Sequence, residues 1–298
     1  MLRILPAPLR GALTGLLLGL NTVIVFSLMI PPALLKLVLP VVPVRNAADR
    51  LLNALASRWV ANNNAWIVDV SPAAWDVQGT DGLHTRGWYL VSSNHQSWVD
   101  ILVLQRIFHG RIPFLKFFLK RELIWVPVIG LAWWALDFPF MKRGKGGGAR
   151  ANDLQTTRKA CKKFKRIPTS VINFVEGTRF TAAKHTLQNS PYRHLLKPKI
   201  GGLGIALATM GEQFEALLDV TIAYPGGTPT FWHLLCGELD AVTVRVQRRP
   251  IPGEVLGGDP VADKAYRQRI GDWVGTQWVE KDALLDDLLQ QAPPSARR

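Results

Sequence analysis

Three short apolar runs in this chain each break off into a cluster of polar residues, and that repeated junction constrains the fold more than any other feature. Residues 87–91 lead into Ser92-Ser93-Asn94-His95-Gln96-Ser97-Trp98-Val99-Asp100. Residues 137–141 lead into Lys142-Arg143, and residues 170–175 lead into Glu176-Gly177-Thr178-Arg179. Aromatic and β-branched runs of this length read as buried strands. Residues 99–107 and 201–210 read as helices. Together they predict an α/β chain, a mixed central sheet flanked by helices. In such sheets chemistry gathers at the carboxyl ends of strands, where all three clusters fall.

His95 is followed by Asp100 five positions later, across the expected start of a helix. With His95 in the turn and Asp100 in the first helical turn, the carboxylate folds back onto the imidazole. It then fixes the tautomer and raises the basicity of the second ring nitrogen, which is the base-and-orienter half of a triad. A substrate hydroxyl can stand in for the nucleophile. Spacing alone favours a plainer arrangement, with His95 capping the helix and Asp100 at the surface. The other strand ends shift the balance. Gly177 allows a sharp turn, Arg179 offers a planar fork for phosphate, and Glu176 can hold a cation or a hydroxyl. Lys142 and Arg143 supply a second cationic strand end.

These residues carry a resemblance. Asn94-His95 with Asp100, Phe140-Met141-Lys142-Arg143, Phe174-Val175-Glu176-Gly177-Thr178-Arg179 and Val220-Thr221-Ile222-Ala223-Tyr224-Pro225 are similar to the ordered blocks of the PlsC-like glycerophospholipid acyltransferases. That group contains the 1-acylglycerol-3-phosphate acyltransferases. Lys120, Glu122, Leu123, Pro127 and Gly130 resemble the connector between its first two blocks. The wording looks closest to the bacterial YihG-like branch.

The resemblance implies an O-acyltransferase of the HX4D type. It would move an acyl group from acyl-CoA or acyl carrier protein to the hydroxyl of 1-acylglycerol-3-phosphate, with no metal and no cofactor. His95 and Asp100 would be catalytic. Lys142, Arg143, Glu176, Gly177, Thr178 and Arg179 would bind the acceptor, and Tyr224 and Pro225 would shape the donor site. Lys142 stands where many members carry an acidic residue, which leaves a lysophospholipid with a larger head group as the alternative acceptor.

Residues 11–30 contain no charge and are long enough to cross roughly 30 Å of hydrocarbon as a helix. A second apolar run, 33–44, is broken by Lys36 and prolines. Arg3 and Arg10 precede the pair and Arg45 and Arg50 follow it. Charge on both flanks favours a re-entrant helical hairpin over a single transmembrane helix. A cleavable signal peptide fits less well, since no small-residue cleavage site follows cleanly. The expected organisation is therefore a membrane anchor over 1–46, an acyltransferase domain over 47–290 and a disordered tail over 291–298.

A net charge of +14 calls for an anionic partner. Charged residues are only 19% of the chain, against an average of roughly 25%, and there are eleven tryptophans. Basic and apolar together fit membrane phospholipid and lysophospholipid rather than nucleic acid, for which no aromatic platform or zinc module is present. A non-catalytic membrane-surface adaptor is the alternative from another class. The thioester donors that the resemblance implies would place the active site on the cytoplasmic side of the inner membrane; composition leaves the oligomeric state open. Cys161 and Cys236 have no metal spacing and form no disulfide framework.

The remaining segments read as follows. Residues 49–60 form an amphipathic helix, and 66–70 with 74–78 form a small strand hairpin. Residues 112–119 form a strand. Residues 123–136 form a buried or interfacial segment, 144–148 a glycine-rich hinge and 152–166 a basic helix. Residues 184–198 are a loop in which His185 and His194 could reach a phosphate. A strand over 217–223, an edge strand over 240–246 and a helix over 262–290 complete the chain.

Overall fold

A computed structural model describes residues 2–39, 41–127, 129–138, 140–141 and 167–291. Among them are strands β1 (Ala74–Gln78), β2 (Tyr89–Ser93), β3 (Leu115–Phe117), β4 (Leu119–Lys120), β5 (Phe140–Met141), β6 (Ser170–Phe174), β7 (Ala216–Ala223) and β8 (Ala241–Arg249). Six form one sheet in the order β1-β8-β7-β2-β6-β3, while β4 and β5 pair on their own. All neighbours are parallel except β7 and β8, so the sheet is mixed as expected. β2 is buried at every position, as a central strand covered on both faces must be. Its register sets Ser93 opposite Phe174 of β6 and Val220 of β7, so three carboxyl ends meet at one edge.

Helix α4 (Val99–Phe108) follows β2 and packs on one face of the sheet, with Val99, Val103, Ile107 and Phe108 in its core. The helix Gly201–Met210 and the C-terminal helix Lys264–Gln290 cover the other face, where Tyr266, Ile270 and Trp278 are buried. At the N-terminus, α1 (Ala7–Leu28) and α2 (Ile30–Val38) run almost continuously through Met29. Pro31 and Pro32 fall in the first turn of α2, where a missing N–H costs least. Residues Ala7–Val38 are long and apolar enough to cross a membrane, and only 28% of their most apolar window is buried. Leu16, Leu20, Ile24, Leu34 and Leu37 face outward.

The return arm is α3 (Val42–Val70), antiparallel to α1 and joined to it by polar contacts. Asn21 donates to Asn63 Oδ1 (2.8 Å) and accepts from Asn62 (2.8 Å), and Trp59 Nε1 donates to Thr22 (3.0 Å). Arg3 closes the open end on the carbonyls of Val68 and Ser71. A hairpin therefore exists, but not the expected one. The apolar run from 33 extends the first arm, and the second arm is a polar helix with a narrow buried stripe. The boundary drawn at residue 46 falls inside α3.

Further expectations are corrected. Residues 66–70 are the last turns of α3, not a strand. Their β-branched composition is overridden by the helical stripe Leu52, Ala56, Val60, Asn63, Ile67 and Val70. Residues 74–78 are a strand, but β1 pairs in parallel with β8 and forms no hairpin. β8 is not an edge, because β1 covers it; an antiparallel strand with one half-covered face alternates just as an edge does. Within 184–198, residues up to 188 belong to a helix, Ala182–Gln188, capped by the Thr181 hydroxyl. Residues 123–136 divide into a 3-10 turn (Arg121–Trp125) and α5 (Ile129–Ala135). Trp133 packs against the hairpin core while Trp125 is exposed. The hinge 144–148 and the basic helix 152–166 lie outside the described residues. A cleft of about 780 Å³ lies at the far end of α4 from His95, lined by Asn46, Arg50, Phe108 and Phe114 among others.

Candidate active site

The site begins where β2 stops. The Asn94 amide bonds Ile222 in both directions, Nδ2 donating to its carbonyl and Oδ1 accepting from its N–H, each at 2.9 Å. The side chain thus continues the sheet ladder after the main chain has turned away, and it ties the turn to β7. The next residue, His95, is gripped through its backbone from both sides. Its N–H donates to Glu176 Oε1 (2.7 Å) and its carbonyl accepts from Phe180 N–H (2.7 Å). Both partners belong to the turn after β6, so the second cluster holds the first in place.

The imidazole lies flat against Phe174, with ring centroids 3.9 Å apart and planes 13° from parallel. Nδ1 is 2.8 Å from Asp100 Oδ2, which also accepts from the N–H groups of Gln96 (2.6 Å) and Ser97 (2.8 Å). A carboxylate only accepts, so the proton of the neutral ring is assigned to Nδ1 and the lone pair to Nε2. Nε2 has no protein partner among the described residues. Asp100 is 1% exposed, so the surface placement that spacing alone favoured does not hold. It sits in the first turn of α4, as the triad arrangement requires.

Glu176 is 0% exposed, and its second oxygen accepts from Leu196 N–H at 3.0 Å. Burial pushes its pKa up to about 7, against the pull of its two backbone donors. Each oxygen is held by a backbone N–H, so this carboxyl works as a backbone clamp behind His95. Gly177 has φ +67, the left-handed turn that glycine adopts without strain, and its N–H closes onto the Phe174 carbonyl at 2.8 Å. Arg179 lies over the exposed Trp98 ring, 4.6 Å from its centroid. Lys184 bonds both Thr178 Oγ1 and the Arg179 carbonyl at 2.8 Å. The Lys199 side chain passes beside Gly177. Cations therefore ring the turn next to His95. Lys142 and Arg143 lie outside the described residues.

Tyr224 is 3% exposed and its hydroxyl donates to Asp100 Oδ1 at 2.6 Å. It does not line an open donor site; Pro225, half-buried, follows it. His185 bonds the Tyr192 carbonyl and His194 bonds Asp286, so both serve loop packing. Sequence reasoning missed the Phe174 platform, the Trp98–Arg179 stack, Lys184 and Lys199. It also missed Lys281, fully buried beneath β7 and paired with Asp219 at 2.6 Å. Only Phe174 carried a signal, as the aromatic residue two positions before the third cluster.

Comparison with known proteins agrees with this layout. The chain is 30% identical over 213 residues to 1-acyl-sn-glycerol-3-phosphate acyltransferase 2 of Brassica oleracea, covering 66% of this chain and 50% of that protein. It is 27% identical over 210 residues to 1-acyl-sn-glycerol-3-phosphate acyltransferase gamma of Mus musculus, covering 65% and 52%. It thus spans about half the length of the curated relatives it matches. The crystal structure of the 1-acyl-sn-glycerophosphate acyltransferase PlsC from Thermotoga maritima superposes with a TM-score of 0.54. At 19% identity it covers 91% of this chain and 98% of its own, and it shares the fold. Residues 74–224, from β1 to the tyrosine that holds Asp100, match the family model described as Acyltransferase; they make up half of the chain, which therefore belongs to the acyltransferase family.

Proposed function

We propose that the chain transfers a fatty acyl group from a thioester, acyl-CoA or acyl carrier protein, to the free hydroxyl of 1-acylglycerol-3-phosphate, producing phosphatidate. The relatives' printed names support the acceptor. The observation that carries the reaction is the His95–Asp100 pair at the end of β2, with no partner on Nε2 among the described residues and with Arg179 next in the chain to Phe180, whose N–H holds the His95 carbonyl. In this reading Nε2 removes the hydroxyl proton while the oxygen attacks the thioester carbonyl. The C–S bond then breaks and the leaving thiolate takes the proton back from the imidazolium. Asp100 keeps the ring oriented and offsets its transient charge. A general base of this kind contributes roughly 10²–10⁴-fold.

The N–H groups of Gln96 and Ser97 are occupied by Asp100, and that of Val99 by the Ser97 hydroxyl. Donors to the developing oxyanion must come from elsewhere. Arg179 carries the planar fork suited to the acceptor phosphate. Arg143, Lys142 and Thr178 are proposed to share that contact, and Pro225 to border the thioester. The outward apolar side of α1 and α2 anchors the chain in the inner membrane, with the site on the cytoplasmic side.

The test uses full-length protein in anionic liposomes with labelled acyl-CoA or acyl carrier protein and a panel of lysolipids, beside His95→Ala. Diacyl product from lysophosphatidate that disappears in the variant is the expected result. Product only with larger head groups would reassign the acceptor. Transfer at near-normal rates without His95 would overturn the mechanism, and no product with any pair would leave a membrane-surface adaptor.

A further inference from the structure

The Asp100 carboxylate is used unevenly. Oδ2 accepts from His95 Nδ1, Gln96 N–H and Ser97 N–H, whereas Oδ1 has a single donor among the described residues, the Tyr224 hydroxyl at 2.6 Å. The two side chains come from opposite parts of the chain, 124 residues apart. Tyr224 stands one residue past β7, and its ring is packed in the core shared with Val99, Leu102 and Leu234. It is buried and bonds the Asp100 oxygen that the imidazole does not.

We propose that Tyr224 is a positioning residue for acyl transfer, its phenol holding Asp100 Oδ1 so that Oδ2 stays in line with the His95 ring. The inference rests on the transfer reaction above. A carboxylate has one free torsion beyond its rotamer. Three donors on one oxygen pull it in one direction, and a donor fixed in the core opposes them. Without the phenol, Oδ1 is a buried acceptor with no partner, and the group can rotate to share Oδ2's donors, taking the imidazole out of line. The phenol also draws charge away from the carboxylate, which moderates its pull on the imidazolium. Burial, and then the charge of Asp100, push the phenol's pKa well above its ordinary value, so the group remains a donor at any working pH. Among the described residues, the titratable groups that act on Asp100 include His95 on its own turn, Tyr224 after β7 and Glu176 after β6.

Tyr224→Phe keeps the ring and deletes only the hydroxyl. In liposomes, kcat is expected to fall on the order of 10- to 100-fold, the range that one hydrogen bond to a charged group supports. KM for lysophosphatidate and for acyl-CoA should stay within about twofold, because the phenol touches neither. The acid limb of the pH–rate profile should move to higher pH. Two effects push the same way: a carboxylate with one donor fewer is easier to protonate, and an undrained carboxylate makes the imidazole easier to protonate.

A readout independent of turnover is the NMR titration of ¹³C-labelled histidine in detergent micelles, with the His95 signal assigned by its loss in His95→Gln. The position of that titration should move in Tyr224→Phe. Unchanged kcat and an unchanged titration would overturn the proposal. So would a lower kcat and lower thermal stability with both pH readouts unmoved, since the phenol would then be packing alone. If the wild-type chain transfers nothing, the functional reading falls, and the titration still decides whether Tyr224 acts on the pair.

Discussion

Replacing Glu176 by glutamine separates two things that the buried carboxyl does for the site. Its oxygens accept from His95 N–H at 2.7 Å and Leu196 N–H at 3.0 Å, in a position with no solvent exposure. An amide offers one oxygen and one NH₂, so one of these backbone donors must face another donor. That loss costs about 1–3 kcal/mol. Against it stands the burden of a buried charge. Burial raises the carboxyl from its ordinary 4.5 to about 7, and each unit corresponds to about 1.36 kcal/mol. The folded protein therefore holds this proton more tightly than the unfolded chain does. The associated stability is fully present below about pH 4.5 and is lost as pH rises towards 7, by about 3 kcal/mol in all.

Glutamine does not titrate. Glu176→Gln should thus be clearly less stable than wild type near pH 4.5, and the gap should close, or reverse, by pH 7.5. Thermal unfolding in detergent micelles, followed by near-ultraviolet circular dichroism across that range, measures the gap directly. A gap that stays constant, or widens with pH, would refute the assignment of a buried, proton-holding carboxyl behind His95.

Two further perturbations test the surroundings. Lys281→Met removes a cation that pairs with Asp219 at 2.6 Å and donates to the Val220 carbonyl at 2.6 Å, leaving Asp219, among the described residues, with Arg249 as its ion-pair partner. It should cost about 3–5 kcal/mol, with much of that recovered when Asp219 is also made apolar; a melting temperature close to wild type would contradict a buried pair. Arg179→Lys keeps the charge but loses both the fork and the stack on Trp98. If the proposed transfer to lysophosphatidate holds, the change should raise KM for that acceptor about tenfold while kcat stays within about twofold, and steady-state kinetics showing the reverse split would place Arg179 elsewhere in the proposed reaction.

What the sequence determined by itself is local. The end of β2, the start of α4 and the five-residue interval between His95 and Asp100 follow from composition and from the geometry of one turn. The left-handed turn at Gly177 follows from the residue that occupies it. Over such distances the backbone leaves few arrangements, and residue type selects among them. The long uncharged N-terminal run was legible for the same reason, because length and hydropathy decide what can enter hydrocarbon.

Only the tertiary structure decided which of these groups face each other. Glu176 looked open to a ligand but turns both oxygens onto backbone N–H groups, because β6 lies beside β2 and brings its turn under His95. Tyr224 looked like part of a donor site but reaches Asp100, because β7 flanks β2 with Val220 opposite Ser93 and carries the tyrosine in beneath the dyad. Residues 66–70 read as a strand until the stripe of α3, packed on α1, claimed them for a helix. In each case the deciding term is a contact between segments far apart in the chain. Sheet register and helix packing set such contacts, and no short window of residues encodes them.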